Sequence, residues 1–252
     1  GAPAPVAGFL ATISKGSVFV ALMRFFLAAD GYQYDSIMTG LYWIAGLSML
    51  LGNILALLQS SIKRLLAYSS IAQFGYLMVA FIAISELAGK HLAIEAAVFF
   101  LIAYFITTIG AFGVVTIMSD KSEDHDLDSL DAYQGLFWQR PLLAAFMSIM
   151  LLSLAGIPLT AGFVGKFYIL ASGVESQLWP LLVIVVIGSG IGLFYYLRVI
   201  YAMTKKAAAN TDIKVPAAGG WTMAVVTLVL LVLGVYPGPV IEWVSNMALQ
   251  LV

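Results

Sequence analysis

The sequence predicts an all-α fold: a polytopic membrane helix bundle of about seven transmembrane helices, one of them broken. Three observations predict it. Of the 252 residues, 62% are hydrophobic and only 10% are charged, where water-soluble domains run near 45–50% and about 25%. Apolar runs long enough to cross a bilayer core occur at 6–28, 37–59, 63–84, 92–118, 141–173, 179–204 and 220–244, since about 20 helical residues span roughly 30 Å of hydrocarbon. These runs are continuous rather than alternating, which disfavours barrel strands, and a helix closes its own backbone hydrogen bonds in lipid.

The same composition excludes several functions. A net charge of -1 offers no basic stripe for a polyanion, so no nucleic acid is expected as a partner. The absence of cysteine removes disulfides, Cys-ligated zinc, iron–sulfur clusters and thiol nucleophiles. No Ser/His/Asp or metal-binding constellation has workable spacing, so neither a hydrolase nor a metal site is expected. Residues 1–5 lack both an initiator Met and the charged start of a signal peptide, so the chain is expected to be part of something longer.

Taken in order, the first run carries Lys15 about nine residues in, roughly 14 Å along a helix and near the bilayer centre. In the third, Ser69, Gln73 and Tyr76 share one face, with Tyr68 and Ser70 beside them. Glu95 lies near the start of the fourth, and Tyr104 and Thr108 share a face deeper in. These polar groups can hold ordered waters, or they can simply bond neighbouring helices together. For the hydroxyls the second reading is preferred, and Glu95 stands equally as an interface anchor or a proton donor. The fifth run, 141–173, would extend about 50 Å if straight, so it must break, tilt or stop early. Gly156-Ile-Pro-Leu-Thr-Ala-Gly162 supplies the break, because Pro158 removes a backbone donor and Gly156 and Gly162 accept unusual dihedrals. In the sixth run Gly188, Gly190 and Gly192 read as close helix packing. The seventh, 220–244, reads as one crossing.

Charges set orientation and point to the site. The side holding the N-terminus collects Lys63, Arg64, Lys121, Arg140, Lys205, Lys206 and Lys214, and the other side Arg24 and Lys90. The positive-inside bias therefore puts the first side in the cytoplasm and the C-terminus outside. In the loop 119–140, Asp120, Glu123, Asp124, Asp126 and Asp128 read as a solvated linker rather than a calcium loop. Leu127, Leu130, Tyr133 and Phe137 suggest a short helix on the surface, with Asp128 placed to cap it. His91 and His125 fall in loops. Arg24 and Arg198 lie within reach of helix ends and read as snorkelling, structural side chains. Lys15 and Lys166 do not. A lysine at a helix centre costs about 2.5–3.5 kcal/mol to insert, and desolvation favours its neutral form, so it can exchange a proton near neutral pH. A broken helix beside Lys166 exposes backbone polar groups at mid-depth, the usual setting of an ion pathway.

These residues carry a resemblance. Gly1-Ala-Pro-Ala-Pro-Val, Thr12-Ile-Ser-Lys15, Ser61-Ile-Lys-Arg-Leu-Leu-Ala-Tyr-Ser-Ser-Ile-Ala-Gln-Phe-Gly-Tyr76 and Leu154-Ala-Gly-Ile-Pro-Leu-Thr-Ala-Gly-Phe-Val-Gly-Lys-Phe-Tyr168 resemble the antiporter-like membrane subunits of respiratory complex I. Gly135-Leu-Phe-Trp-Gln-Arg-Pro141 and Gly192-Leu-Phe-Tyr-Tyr-Leu-Arg-Val199 look most like the subunit N branch of that family. The resemblance implies a single transmembrane bundle over 1–252. Residues 1–28 would be a central linking helix, 37–204 one five-helix unit of an inverted-repeat transporter fold, and 220–252 a C-terminal helix. It implies proton translocation coupled to quinone reduction, with Lys15 and Lys166 as relay lysines and Tyr68 and Gln73 lining the link between them; Glu95, Tyr104 and Thr108, read above as stepping stones, complete the expected relay. Gln73 stands where relatives carry histidine, and an amide cannot titrate, so a relay there would use water.

The resemblance further implies no cofactor in this chain, with NADH, FMN, iron–sulfur clusters and quinone on other subunits. Expected partners are a neighbouring antiporter-like subunit, small membrane subunits, the lipid bilayer, protons and water, in a bacterial inner membrane. Two other classes share these features: a sodium/proton antiporter subunit of the Mrp type, and a non-conducting scaffold.

Overall fold

The computed structural model describes residues 2–85, 90–119, 127–206 and 215–249, whose regular structure is helical. We label the principal helices α1 (Ala4–Ala28), α2 (Asp35–Leu57), α3 (Ile62–Ala83), α4 (Lys90–Ser119), α5 (Pro141–Ala155), α6 (Ala161–Glu175), α7 (Trp179–Thr204), α8 (Ala217–Val235) and α9 (Gly238–Leu249). Among the described residues six helices, α1 to α4, α7 and α8, are long and apolar enough to cross a membrane. The protein is therefore an all-α polytopic bundle. The run at 141–173 divides into α5 and α6, 15 residues each. At about 22 Å apiece, neither half reaches across a bilayer core alone.

Helices α3 and α4 form the centre, with most of their residues buried, whereas most residues of α1, α2, α7 and α8 are at least partly exposed. Helix α2 packs along α3, α4 packs on α5 and α6, and α7 bridges α2 and α5. The broken pair is thus held against the two most enclosed helices, which brings Lys166 to α3.

Arg198 shows how charge is used structurally. Its Nη1 donates to the Leu57 carbonyl at 3.0 Å and its Nη2 to the Gln59 carbonyl. These carbonyls lie at the α2 C-terminus, which has no intrahelical donors left. Arg198 is structural as expected, but as a cap tying α7 to α2 rather than by snorkelling. Arg24 lies exposed near the end of α1. Replacing Arg198 with Met should cost about 2 kcal/mol, the scale of charge-assisted hydrogen bonds left unmade. A lowered thermal unfolding midpoint in detergent would register it.

Five expectations are corrected. The short helix after 127 is a single 3₁₀ turn, Leu130–Tyr133, followed by one α-turn, Leu136–Gln139. It is docked rather than lying on the surface, with Tyr133 and Leu136 buried and Phe137 outward. Its cap is Ser129, whose hydroxyl accepts the Ala132 N–H at 3.3 Å. Asp128 instead staples the start of α3, accepting the Ser61 hydroxyl on its carboxylate and the Ile62 N–H on its carbonyl. The run at 220–244 is not one helix, because Pro237 cannot continue the ladder and separates α8 from α9. His91 lies in the first turn of α4, with Nδ1 3.2 Å from Glu95 Oε1, not in a loop. Gly188 and Gly192 do sit against neighbours, but Gly190 faces open space. Asp120, Lys121, Glu123, Asp124, His125, Asp126 and Lys214 lie outside the described residues.

Candidate functional site: two lysine chambers on one helix

The first chamber begins with a distortion of α1. Residues Leu10–Ser14, directly before Lys15, adopt a π-turn, a local widening that recurs at functional sites and frees a carbonyl from the regular ladder. The Ala11 carbonyl accepts the Tyr104 hydroxyl at 2.8 Å, and Thr12 turns its own hydroxyl onto Gly8 at 2.6 Å. Just past this turn the Lys15 Nζ donates to Ser70 Oγ at 2.6 Å and stands 5.6 Å from the centre of the Phe74 ring. Ser70 donates onward to the Ala67 carbonyl at 2.6 Å, leaving its lone pairs for the lysine. Tyr104 is buried, stacked on Phe100 and edge-on to Phe74, with its hydroxyl also facing Ser70 and Thr108.

The second chamber is made by the break. Helix α5 ends where Gly156 turns left-handed at φ +85°, its own N–H and that of Ile157 both returning to Leu152 at 3.0 Å. Four residues beyond Leu154 comes Pro158, which has no N–H to give, so the Leu154 carbonyl loses its helical donor. Leu159, at φ 70°, turns the chain away, and Thr160 opens α6 by accepting the Phe163 N–H at 3.4 Å. The stranded carbonyls of Leu154 and Ala155 accept the Lys166 Nζ at 2.9 and 3.0 Å. Gln73 Nε2 shares the Leu154 carbonyl at 3.1 Å, and the Tyr76 ring lies 5.1 Å beneath the ammonium. Lys166 is only 7% exposed.

Two glycines make this geometry possible. A Cβ on Gly156 would stand 2.8 Å from Lys166 Cδ, and one on Gly162 would stand 1.9 Å from the Ser153 carbonyl oxygen. The Gly162 N–H also donates to Ser153 Oγ at 3.1 Å, and that hydroxyl meets Thr107 Oγ1 at 3.1 Å.

A cavity of about 10 Å³ lies between the chambers, lined by Gln73, Phe100, Tyr104, Thr107, Ser153 and Lys166 among others. Its volume stands at the lower limit of the about 10–15 Å³ that one water needs, and the surface it exposes is mostly apolar. The polar groups around it run Lys15, Ser70, Tyr104, then Gln73 and Lys166 on the far side. Among the described residues neither lysine is ion-paired. Both ammonium groups rest on neutral acceptors and on ring faces two positions apart on α3.

Of the residues singled out from sequence, the structure brings together Lys15, Tyr104, Thr108, Gln73, Lys166, Gly156, Pro158 and Gly162. It leaves two apart. Tyr68 is half-buried against the core, and Glu95 is occupied by His91 at the opposite end of α4 from the loop. Sequence reasoning passed over Ser70, Thr107 and Ser153 as sites, although Ser70 stood one residue from the polar stripe on α3. It missed Asn53 and Tyr195, which bond to one another at 3.0 Å in the interior. An amide in the interior of the apolar run 37–59 was the available signal.

Comparison with known proteins bears on the family and the fold. The family model described as NADH:quinone oxidoreductase/Mrp antiporter, transmembrane, matches residues 1–192. NADH-quinone oxidoreductase subunit N of Methylococcus capsulatus is 49% identical over 246 residues, covering 98% of this chain and 49% of that protein. The chain thus spans about half the length of this curated relative. A chain of respiratory complex I from Thermus thermophilus with bound aureothin superposes with a TM-score of 0.81 at 32% identity, over 96% of this chain and 52% of that one. A chain of the Mrp complex from Dietzia sp. DQ12-45-1b shares the fold, with a TM-score of 0.79 at 17% identity over 92% of this chain and 50% of that one.

Proposed function

The chain belongs to the NADH:quinone oxidoreductase/Mrp antiporter membrane family, and from that premise we propose that it carries protons across the membrane through Lys15 and Lys166, as part of a subunit N-like member of an NADH–quinone oxidoreductase. The observation that carries this reading is the pairing of a half-buried Lys15 with a buried Lys166, each on neutral acceptors, about a small cavity bordered by Gln73, Tyr104, Thr107 and Ser153. A carboxylate partner would fix an ammonium in place. Hydroxyl and carbonyl partners leave its proton exchangeable. Two charges about 10 Å apart interact by about 1.5 kcal/mol at an effective dielectric near 20, enough to bias a protonation equilibrium about tenfold. Protonation of Lys15 can therefore drive Lys166 toward release, with Ser70, Tyr104 and water between them and Gln73 as a fixed donor rather than a carrier.

In this reading residues 1–28 link two half-channels, 37–204 form one five-helix repeat around the break, and 220–252 flank it. Quinone reduction elsewhere in the complex supplies the energy, cofactors reside on other subunits, and a neighbouring antiporter-like subunit and small membrane subunits adjoin. The protein sits in the inner membrane with its C-terminus outside. Identity near one half to subunit N, against 17% to the Mrp chain, favours this over a sodium/proton antiporter.

The test is Lys15→Ala in the full-length subunit, within the assembled complex in inverted membrane vesicles. Dye-reported proton uptake per NADH oxidised should fall at least about fivefold, with subunit content unchanged and no dependence on sodium. Uptake equal to wild type would overturn the relay.

A further inference from the structure

The Lys166 ammonium leans on the Tyr76 ring, and that ring is itself held. Asn53, 1% exposed within α2, donates through Nδ2 to the Tyr76 hydroxyl at 2.8 Å and to the Met49 carbonyl at 2.7 Å. Its Oδ1 accepts the Tyr195 hydroxyl from α7 at 3.0 Å. Tyr195 is in turn wedged against Tyr196, ring centres 4.4 Å apart. Gly188 closes the site: a Cβ there would stand 2.8 Å from both Asn53 Nδ2 and the Tyr76 hydroxyl. The cluster is thus closely packed and draws on three helices.

We propose that Asn53 is a positioning residue for the Lys166 chamber: it fixes the Tyr76 ring beneath the ammonium, and Tyr195 fixes Asn53. The proposal rests on the proton-carrying reading above. An amide is a poor proton carrier, and the tight approach of Gly188 leaves little room for water beside it, so the cluster serves geometry rather than conduction. Geometry matters here because the attraction between a cation and a ring face depends on the ion staying over the face, within about 6 Å of its centre. Two backbone carbonyls and this face are the groups that hold the charged state of Lys166. A ring free to tilt about its side-chain bonds would offer its edge, whose partial charge is positive.

The test is a mutant cycle in the full-length subunit within the assembled complex, read as proton uptake per NADH oxidised. Tyr76→Leu, which removes the face, should lower uptake about tenfold. Tyr76→Phe, which keeps the ring and deletes its anchor, should lower it about threefold. Asn53→Leu should match Tyr76→Phe, and the double variant Asn53→Leu/Tyr76→Phe should be no worse than either alone, because both remove the same bond. Additive losses would show that Asn53 acts by another route and would overturn the proposal. Should Asn53→Leu fail to assemble, Tyr195→Phe keeps the packing and deletes only the hydroxyl on Oδ1; it should cost about twofold in wild type and nothing further on Tyr76→Phe. Full uptake in Tyr195→Phe would then overturn the proposal. Lys166→Ala run alongside separates the two levels. If it abolishes uptake while the Asn53 and Tyr195 variants pump normally, only the clamp fails. If it pumps normally, the proton path itself fails.

Discussion

Lys166→Ala should abolish proton uptake, by at least about tenfold, while the complex still assembles and oxidises NADH. Alanine removes the amine that two carbonyls hold at 2.9 and 3.0 Å, and the vacated volume merges with the cavity already bordered by Gln73, Thr107 and Ser153. Water can enter such a polar space and satisfy the Leu154 and Ala155 oxygens, so the helix break should survive. What is lost is a group able to take and surrender a proton at that point. Lys166→Arg sharpens the result, because a guanidinium keeps the positive charge but does not deprotonate in proteins. Both variants should be inactive in membrane vesicles. Uptake retained by the arginine variant would mean that a fixed positive charge suffices, and the exchange account would be wrong.

The second large effect is structural. Gly162→Ala should prevent the subunit from accumulating, because its Cβ would lie 1.9 Å from the Ser153 carbonyl oxygen, a backbone atom with no side-chain freedom to yield. Relieving that overlap means separating α5 from α6 and breaking the Gly162 N–H bond to Ser153, at a cost above about 3 kcal/mol. Gly190→Ala, in open surroundings on α7, should leave the amount unchanged and slightly favour the helix. Immunoblots of membranes and native gels of the complex measure both. Equal accumulation of the two variants would show that the break tolerates a wider separation.

The outline of this molecule was legible because hydrocarbon is an unforgiving solvent: apolar runs had to be helices, and Lys15, Lys166 and the Gly156–Gly162 segment stood out against them. Partnership was less legible. Ser70 lies 55 residues from Lys15, and Tyr104 lies 93 from the Ala11 carbonyl, distances over which no local pattern operates. Helices apolar on every side carry no stripe to show which face meets which neighbour, so the buried faces of α3 and α4 could not be ranked. Tyr68 looked equivalent to Gln73, yet only Gln73 turns toward the break. Asn53 was hidden differently. One amide among leucines does not announce whether it binds its own helix or another, and it does both. Capping failed at Asp128 because Ser129 stood next to it with equal chemistry, and the carboxylate was drawn to a tertiary partner.

The socket for Lys166 is built from main-chain oxygens, that of Leu154 released because an imino acid follows where a helix would have supplied hydrogen, that of Ala155 because the chain turns away at Leu159. Swapping the side chains of Leu154 or Ala155 therefore leaves those oxygens where they are. Residue-by-residue truncation surveys would score both positions as packing alone, although they supply the atoms nearest the charge.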